Sequence, residues 1–124
     1  MDATKTHILH DFTHTSPLIS CRFDPSGKFV FVGAEDFKVW RFQLSDGKKA
    51  PLDVNAWVRG IAFADAGKTV VTGGYDGRLF WAPVNPEKLE PIRTIEAHEG
   101  WIRAVAANAD GSQIASAGND LIVR

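Results

Sequence analysis

Cysteine is almost absent from this sequence of 124 residues, which contains Cys21 alone. A single cysteine cannot form a disulfide within the chain, and no Cys or His spacing matches a structural zinc site. The cytoplasm is therefore the expected location. An excess of one charge sign is also missing, because 14 Lys and Arg face 15 Asp and Glu for a formal net charge of -1. Attraction by bulk charge to nucleic acid, anionic lipid or acidic substrates is not expected.

Long apolar runs are missing as well. The N-terminal residues, MDATKTH, lack the basic and apolar regions of a signal peptide. No later stretch approaches the ~20 apolar residues of a membrane span. We therefore expect a soluble chain, and its length fits one domain, residues 1–124.

Residues that favour strands dominate the apolar composition. The sequence has 10 Val and 8 Ile against 7 Leu, with 8 Phe, 4 Trp and 1 Tyr. Branched and aromatic side chains keep more freedom on strands than in helices. Eleven Gly and six Pro leave little room for long uninterrupted helices. The composition therefore predicts an all-β fold with tight turns.

Three segments of the chain share one pattern of strands and turns. They begin at Leu18, Val58 and Ile102, and each contains an apolar strand, a turn closed by Gly, a second strand, a turn bearing Asp and a third strand. The turn glycines are Gly27, Gly67 and Gly111, and the turn aspartates are Asp36, Asp76 and Asp120. Both sets are spaced by 40 and 44 residues, so two landmarks in one register indicate an internal repeat.

The turn residues indicate how the strands of each repeat pair. In the DPSG turn, Pro25 presets φ and Gly27 supplies the positive φ that closes a hairpin, so strands one and two are predicted to be antiparallel. The Asp76-Gly77 pair suits a type I′ turn between strands two and three. Pro91, in the stretch KLEPIRTI, cannot donate to a central ladder and favours a short outer strand. Four antiparallel strands per repeat are therefore predicted.

This arrangement resembles the WD-repeat (WD40) β-propeller family, whose unit has about 40–45 residues and four strands. In that family a His stands four, seven and nine positions before apolar residues of the first strand, as His14 and His98 do here. The family's hydroxyl residue, four positions before the turn Asp, is matched by Thr72 and Ser116, and its third-strand Trp by Trp40. The resemblance implies a buried structural network of hydrogen bonds. Its expected members are His14, Asp36, Trp40, Thr72, Asp76, His98, Ser116 and Asp120.

No repeat carries the full set of His, hydroxyl, Asp and Trp. Repeat two has Val54 in place of the His and Ala82 in place of the Trp. Repeat one has Val32 in place of the hydroxyl residue, and its second turn, GAEDF, is two residues shorter than the family's. We therefore expect repeats one and three to be held more firmly than repeat two.

The resemblance implies a partial β-propeller of about three four-stranded antiparallel blades, with the last blade incomplete. We place the repeats at about residues 14–54, 55–97 and 98–124, and an outer strand of a closing blade at residues 1–13. Propellers typically close with four to eight blades, so three are too few. The chain is therefore expected to be the N-terminal portion of a longer propeller. The alternative is self-association, for instance two chains that form six blades.

Catalytic and ligand-binding alternatives find little support in the sequence. The residue types of His98, Ser116 and Asp120 match a hydrolase triad, but these are the family's structural positions and Ser116 lacks a Gly-x-Ser-x-Gly motif. His7, His10 and His14 could be metal ligands by residue type, but on a strand only His10 and His14 share a side, so a site with three ligands would need another residue. The turn GGYDG lacks a P-loop lysine. We therefore expect no enzyme activity, no cofactor, no metal and no binding to nucleic acid or membrane.

One recurrence suggests a binding surface. Trp57 and Arg59 of repeat two recur as Trp101 and Arg103 of repeat three, 44 residues later, where the chain enters the innermost strand. In the resembling family this end of the blade often meets partner proteins, together with the residue before the turn Asp, here Tyr75. Trp, Tyr and Arg are the residues most enriched at binding hot spots. These five residues are the predicted partner surface; the alternative is that both Trp pack between blades and both Arg line the channel.

The predicted function is a non-catalytic scaffold for protein–protein interaction, with a partner that the fold alone does not name. The alternative from another class is a propeller segment of an enzyme, or of an enzyme-linked protein, whose active site lies outside these residues. Acidic, His or metal-binding residues clustered on the rim loops would favour that alternative. The short turns of these repeats offer no such cluster.

Overall fold

Ten β-strands provide almost all of the regular structure in the computed structural model, which describes residues 2–124. The strands are β1 (Leu18–Phe23), β2 (Phe29–Ala34), β3 (Lys38–Gln43), β4 (Lys49–Asp53), β5 (Val58–Ala64), β6 (Thr69–Gly74), β7 (Arg78–Pro83), β8 (Arg93–Glu96), β9 (Ile102–Ala107) and β10 (Ile114–Gly118). Two short 3₁₀ helices span Ala3–Lys5 and Asp65–Gly67. No helix in the described part of the chain is long and apolar enough to cross a membrane.

The strands form three antiparallel sheets in chain order. Strands β1 to β4 make one four-stranded sheet, β5 to β8 make a second, and β9 pairs with β10 in a third. An antiparallel bridge between Ala117 and Val123 adds the beginning of a further strand to the third sheet. The predicted all-β partial propeller, with an incomplete last blade, is confirmed.

The blades stack along their innermost strands, with β5 in contact with both β1 and β9. Two glycines make this close approach possible. A Cβ built on Gly33 would overlap the carbonyl oxygen of Val58, and one built on Gly60 would lie 2.6 Å from Cγ2 of Val105. Only glycine fits where the backbones of neighbouring blades come this near.

Apolar side chains fill the spaces between the blades. One buried cluster joins the first and second blades and includes the fully buried Phe31, Leu52 and Val58. A second cluster joins the second and third blades and includes Val71 and Ile102. Burial of each such side chain contributes about 1.5–3 kcal/mol, so blade-to-blade packing dominates the stability of the fold.

Arg41 provides a polar link between the first two blades. Its guanidinium carbon lies 4.6 Å from the ring centroid of Phe29. Its Nη1 donates hydrogen bonds to the carbonyl oxygens of Val84 and Pro86 at 2.6 and 2.7 Å. Burial lowers the pKa of Arg41, and the two carbonyl acceptors compensate the buried charge in part.

The predicted hairpins are confirmed, but one turn type is wrong. Strands β1 and β2 and strands β2 and β3 are antiparallel, as are their counterparts in repeat two. The predicted outer strand after Pro91 is β8. A type I′ turn needs a positive φ at Asp76 as well as Gly77, and only Gly77 has one, with φ +83°. The Gly77 amide bonds the Gly74 carbonyl at 3.1 Å, so the loop is one residue longer than predicted.

The second turn of repeat one is not shortened. Trp40 lies opposite Val32 in the sheet, as Phe80 lies opposite Thr72, so the two repeats have loops of equal length. Phe42, not Trp40, therefore occupies the position that corresponds to the family's third-strand Trp, as Ala82 does in repeat two. The prediction of a shorter turn is wrong because Trp40 occupies a position two residues earlier on the same strand face.

The chain before β1 lies against the first blade. Residues 6–17 form no strand, and the ring of Phe12 stacks on that of Phe42 with a centroid separation of 5.9 Å. The outer strand of a closing blade at residues 1–13 stays a prediction, as do the repeat boundaries. Met1 lies outside the described residues.

Candidate protein-binding site

The same backbone hydrogen bond recurs at one end of each blade. In each case the amide before the turn Asp donates to the carbonyl oxygen of the residue before the innermost strand, at 2.9 Å. The donors are Glu35, Tyr75 and Asn119, and the acceptors are Pro17, Trp57 and Trp101. We call this end of the three blades, defined by these six residues, the rim.

Four aromatic side chains form a continuous series of ring contacts along the rim, which we call the aromatic ladder. Its members in order are Phe37, Trp57, Tyr75 and Trp101. Successive ring centroids are 6.4, 6.0 and 4.5 Å apart, and the corresponding interplanar angles are 25°, 56° and 10°, so the first and last pairs are stacked and the middle pair is tilted. The indole nitrogen of Trp57 donates to the Glu35 carbonyl oxygen at 3.0 Å. The aromatic ladder therefore spans all three blades.

The aromatic ladder is open to solvent. Trp57 is 36% exposed, Trp101 is 44% exposed and Phe37 is 53% exposed. Both indoles lie at the rim, where each contacts an aromatic ring of the preceding blade. Exposed aromatic groups that are clustered, rather than scattered singly, mark interaction surfaces.

Phe37 was missed among the predicted partner-binding residues. Its φ is +67°, and it occupies the left-handed position that Gly77 holds in repeat two. A side chain there costs about 1–2 kcal/mol, and the half-exposed Phe37 recovers little of that by burial. The available signal was a bulky residue directly after the turn Asp36, where repeat two has glycine. Leu121, with φ +68°, occupies the same position in repeat three.

A β-bulge occurs at the same place in each innermost strand. The pairing shifts between Leu18 and Ser20 in β1 and between Val58 and Gly60 in β5, with an equivalent shift in β9. The extra residues are Ile19, Arg59 and Arg103. Bulges redirect a side chain and are common beside functional sites.

The two bulged arginines differ in their contacts. The Arg103 guanidinium carbon lies 4.7 Å from the ring centroid of Trp101 and 5.7 Å from that of Tyr75, and its Nε donates to Oδ1 of Asn119 at 2.8 Å. Arg59 is exposed. Within residues 2–124 neither arginine forms an ion pair. Of the predicted surface, Tyr75 contacts Trp57, Trp101 and Arg103, and Arg103 also contacts Trp101. The described structure shows no contact between Arg59 and these residues.

In repeat three, His98 links Asp120 to Ser116. Its Nδ1 donates to Oδ1 of Asp120 at 2.9 Å, and in this tautomer the Ser116 hydroxyl donates to Nε2 at 2.8 Å. The Glu99 amide also donates to Asp120. Burial raises the pKa of Asp120, but the hydrogen bonds from His98 and the backbone outweigh burial and leave that pKa below its ordinary value.

In repeat one, Asp36 accepts from two side chains. His14 Nε2 and Trp40 Nε1 each donate to its Oδ2 at 2.9 Å. Lys49 Nζ donates to His14 Nδ1 at 3.1 Å, and Val32 provides no hydroxyl in this repeat. Burial raises the pKa of Asp36, but the hydrogen bonds from His14 and Trp40 outweigh burial. The pKa of Asp36 is therefore below its ordinary value.

Repeat two has no such network. Val54 stands where the His would be, so no ring joins Thr72 to Asp76. The Thr72 hydroxyl is fully buried and has no hydrogen-bond partner among the described residues. Asp76 instead accepts from Nε and the amide of Arg78, at 2.5 and 3.1 Å. Thr72 and Asp76 were expected to share a network, and the structure does not bring them together.

The spacing of the three blades matches a known family. The sequence model of the family described as "WD domain, G-beta repeat" matches residues 5–41, 50–81 and 89–124 of this chain. The chain belongs to the WD40 family. The His14–Asp36 and His98–Asp120 pairs occupy the positions that the WD40 resemblance implied, and repeat two departs from that pattern. No cluster of three or more His, Cys, Asp or Glu residues suited to a metal ion occurs between residues 2 and 124.

Curated relatives of this WD40 chain include ribosome biogenesis proteins. It is 28% identical over 102 residues to ribosome biogenesis protein bop1-B of Xenopus laevis, covering 82% of this chain and 14% of the relative. It is 25% identical over 99 residues to ribosome biogenesis protein BOP1 of Mus musculus, covering 79% of this chain and 13% of the relative. The chain therefore spans about a seventh of the length of these relatives.

Solved structures share the fold of this WD40 chain. A chain of the crystal structure of the mitotic checkpoint complex superposes with a TM-score of 0.81 at 22% identity, covering 92% of this chain and 35% of that one. The structure of U3-55K superposes with a TM-score of 0.78 at 18% identity, covering 90% of this chain and 36% of that one. At such identity the likeness shows the propeller fold alone.

Proposed function

We propose that this chain is a non-catalytic section of a WD40 propeller that binds a partner protein through the rim. The binding surface consists of Trp57, Arg59, Tyr75, Trp101 and Arg103, extended by Phe37. The observation that carries the proposal is the stack of Tyr75 on Trp101 at 4.5 Å, continued by the exposed Trp57. Such clustered aromatic groups flanked by arginine have the composition of a binding hot spot.

Preorganisation supports binding of a protein at this surface. Each ladder ring is in contact with a neighbour, and Trp57 is further fixed by its hydrogen bond to the Glu35 carbonyl. Ordering a free side chain on binding costs about 0.5–1.5 kcal/mol. Rings that are already stacked lose less conformational freedom, so more of their contact energy is retained as affinity.

A non-catalytic role is also supported by the comparison between repeats one and three. Ser116, His98 and Asp120 have the residue types of a hydrolase triad. The same His–Asp pairing occurs between His14 and Asp36, where Val32 provides no nucleophile. A pairing that recurs without the serine is explained by its structural role in holding the turn.

The setting of this scaffold is part of the proposal. Because the curated relatives are named ribosome biogenesis proteins, ribosome-assembly particles are a suitable source in which to seek the partner. A cytoplasmic location stays a prediction, as does the lack of nucleic-acid and membrane binding. Further blades, supplied by a longer chain or by a second copy, are likewise predicted.

In the test, ribosome-assembly particles are passed over the immobilised chain and over an immobilised Trp57→Ala/Trp101→Ala variant. The proteins that each one retains are quantified by mass spectrometry and compared. A matched control is Phe23→Ala, because Phe23 is an exposed aromatic at the opposite end of β1 from the rim. We expect at least one protein to be depleted about tenfold or more by the ladder variant and to be unchanged by the control.

Circular dichroism and thermal melting of the three proteins establish whether the fold is retained. Loss of the β-rich spectrum in the ladder variant would mean that the indoles hold the blades together. Equal retention of every protein by the ladder variant and the wild type would contradict a partner surface at the rim.

A further inference from the structure

We infer that the rim receives an acidic segment of its partner, whose carboxylates pair with Arg59 and Arg103 beside the aromatic ladder. This inference rests on the proposed function and adds the chemistry of the partner. It is carried by the two bulged arginines, by the commitment of nearby aspartates to other groups, and by the position of Arg103 beside the Tyr75 and Trp101 rings.

The backbone is built to present the two arginines. Arg59 and Arg103 are the extra residues of equivalent β-bulges on the neighbouring strands β5 and β9. In Arg103, Nε is occupied by Asn119, and the guanidinium lies over the Trp101 ring. Its terminal nitrogens form no hydrogen bond among the described residues. A guanidinium oriented in this way suits bidentate pairing with a carboxylate.

The aspartates of the rim turns are already engaged. Asp36 accepts from His14 and Trp40, and Asp76 accepts from Arg78. Asp120 accepts from His98. The remaining rim carboxylates, Glu35 and Glu99, lie beyond 4.0 Å from both arginines. No carboxylate of the described chain therefore neutralises either bulged guanidinium at contact distance.

The aromatic ladder supplies apolar contact area beside the arginines. Phe37 stacks on Trp57 and Tyr75 stacks on Trp101, whereas the Trp57 and Tyr75 rings are tilted by 56°. The Arg103 guanidinium carbon lies 4.7 Å from the Trp101 centroid and 5.7 Å from the Tyr75 centroid, so it flanks this stacked pair. A carboxylate that pairs with Arg103 therefore brings its own segment against these two rings.

The charge of the chain argues against a single-stranded nucleic acid. Such a ligand usually requires a basic groove that follows its phosphates, in addition to aromatic side chains on which bases stack. The chain has a formal net charge of -1. An acidic peptide needs only the two arginines beside the aromatic ladder.

The experiment selects peptides from a random linear display library on the immobilised wild-type chain. Selected peptides are synthesised, and their affinities are measured by fluorescence anisotropy for three variants. The first is Arg59→Gln/Arg103→Gln, which removes both charges and keeps most of the bulk. The second is Trp57→Ala/Trp101→Ala, and the third is the control Phe23→Ala. Labelled oligouridylate is tested as the nucleic-acid probe.

We expect the selected peptides to be enriched in Asp and Glu. Their binding is expected to weaken about tenfold in the arginine variant and at higher salt, and to be unchanged in Phe23→Ala. Peptides that depend on Trp57 and Trp101 but carry no acidic enrichment would overturn this inference and leave the proposed function standing. If no selected peptide depends on the ladder, both fail. The inference would also be overturned if oligouridylate bound more tightly than the selected peptides and its binding depended on Arg59 and Arg103.

Discussion

Tyr75 and Trp101 belong to neighbouring blades, yet their rings stack with centroids 4.5 Å apart and planes 10° from parallel. Tyr75 lies in the turn between β6 and β7, and Trp101 is the residue directly before β9. Their contact links the partner surface to the packing of the second blade against the third. A change in one ring therefore alters both binding and the local rigidity of the rim.

The first prediction concerns this stack. Tyr75→Leu keeps an apolar side chain but removes the ring between Trp57 and Trp101, so the free energy of unfolding should fall by about 0.5–1.5 kcal/mol. The near-ultraviolet circular dichroism of the indoles should also decrease. Tyr75→Phe is the control, because it retains the ring. Equal effects of the two substitutions would show that stacking is not the stabilising interaction.

The second prediction concerns the unpaired hydroxyl of Thr72. Thr72→Val removes a buried polar group without a partner and keeps the branched shape that suits β6. We expect the free energy of unfolding to rise by about 1 kcal/mol. Ser116→Ala, at the equivalent position of repeat three, breaks the hydrogen bond to His98 and should lower it by a similar amount. Urea denaturation of both variants measures these opposite signs, and a loss of stability in Thr72→Val would contradict the structural assignment.

The third prediction concerns the dependence of stability on pH. The pKa values of Asp36 and Asp120 are lowered in the folded chain, so these carboxyls bind protons less readily there than in the unfolded chain. The stabilisation they provide is present above the unfolded pKa of about 3.9 and is lost as the pH falls through the lower folded pKa. Urea denaturation at a series of acidic pH values measures this loss.

Asp120→Asn is the matched variant for that experiment. It removes one of the carboxyls with a lowered pKa, so the remaining dependence of stability on acidic pH should be shallower than in the wild type. An unchanged slope would show that the His98–Asp120 pair does not contribute through its carboxylate charge.

The fourth prediction concerns the link between the first two blades. Arg41→Met keeps an unbranched side chain against Phe29 but leaves the carbonyl oxygens of Val84 and Pro86 without their donor. The free energy of unfolding should fall by about 2–3 kcal/mol. Arg41→Lys keeps a charge and a donor, and should lose less. Chemical denaturation that gives the same midpoint for wild type and Arg41→Met would refute this role.

The architecture could be predicted from sequence because it depends on local turn chemistry repeated in register. Gly27 closes the first hairpin of repeat one. Gly67 stands 40 residues later and Gly111 a further 44 residues later, and they close the first hairpins of repeats two and three. The type of the second turn could not be predicted from Asp76-Gly77 alone. Loop length there depends on where β6 and β7 begin to pair, which is a property of the sheet.

The candidate site was only partly predictable. The recurrence of Trp57 at Trp101 indicated the surface, but the place of Phe37 in the aromatic ladder depends on the distance between blades. The pairing of Asp76 with Arg78 was also not visible, because Arg78 reaches Asp76 only once the loop has bent. The first contact depends on the assembled blades, and the second depends on the conformation of a single turn.

Site-specific cross-linking tests the central claim most directly. A photoreactive benzoylphenylalanine is placed at position 75 in one protein and at position 23 in another, and each is irradiated with the partner identified by the retention experiment. Position 75 lies within the aromatic ladder, and position 23 lies at the end of β1 that is farther from the rim. We predict cross-links to the partner from position 75 and none from position 23. Cross-links from position 23 alone would contradict it.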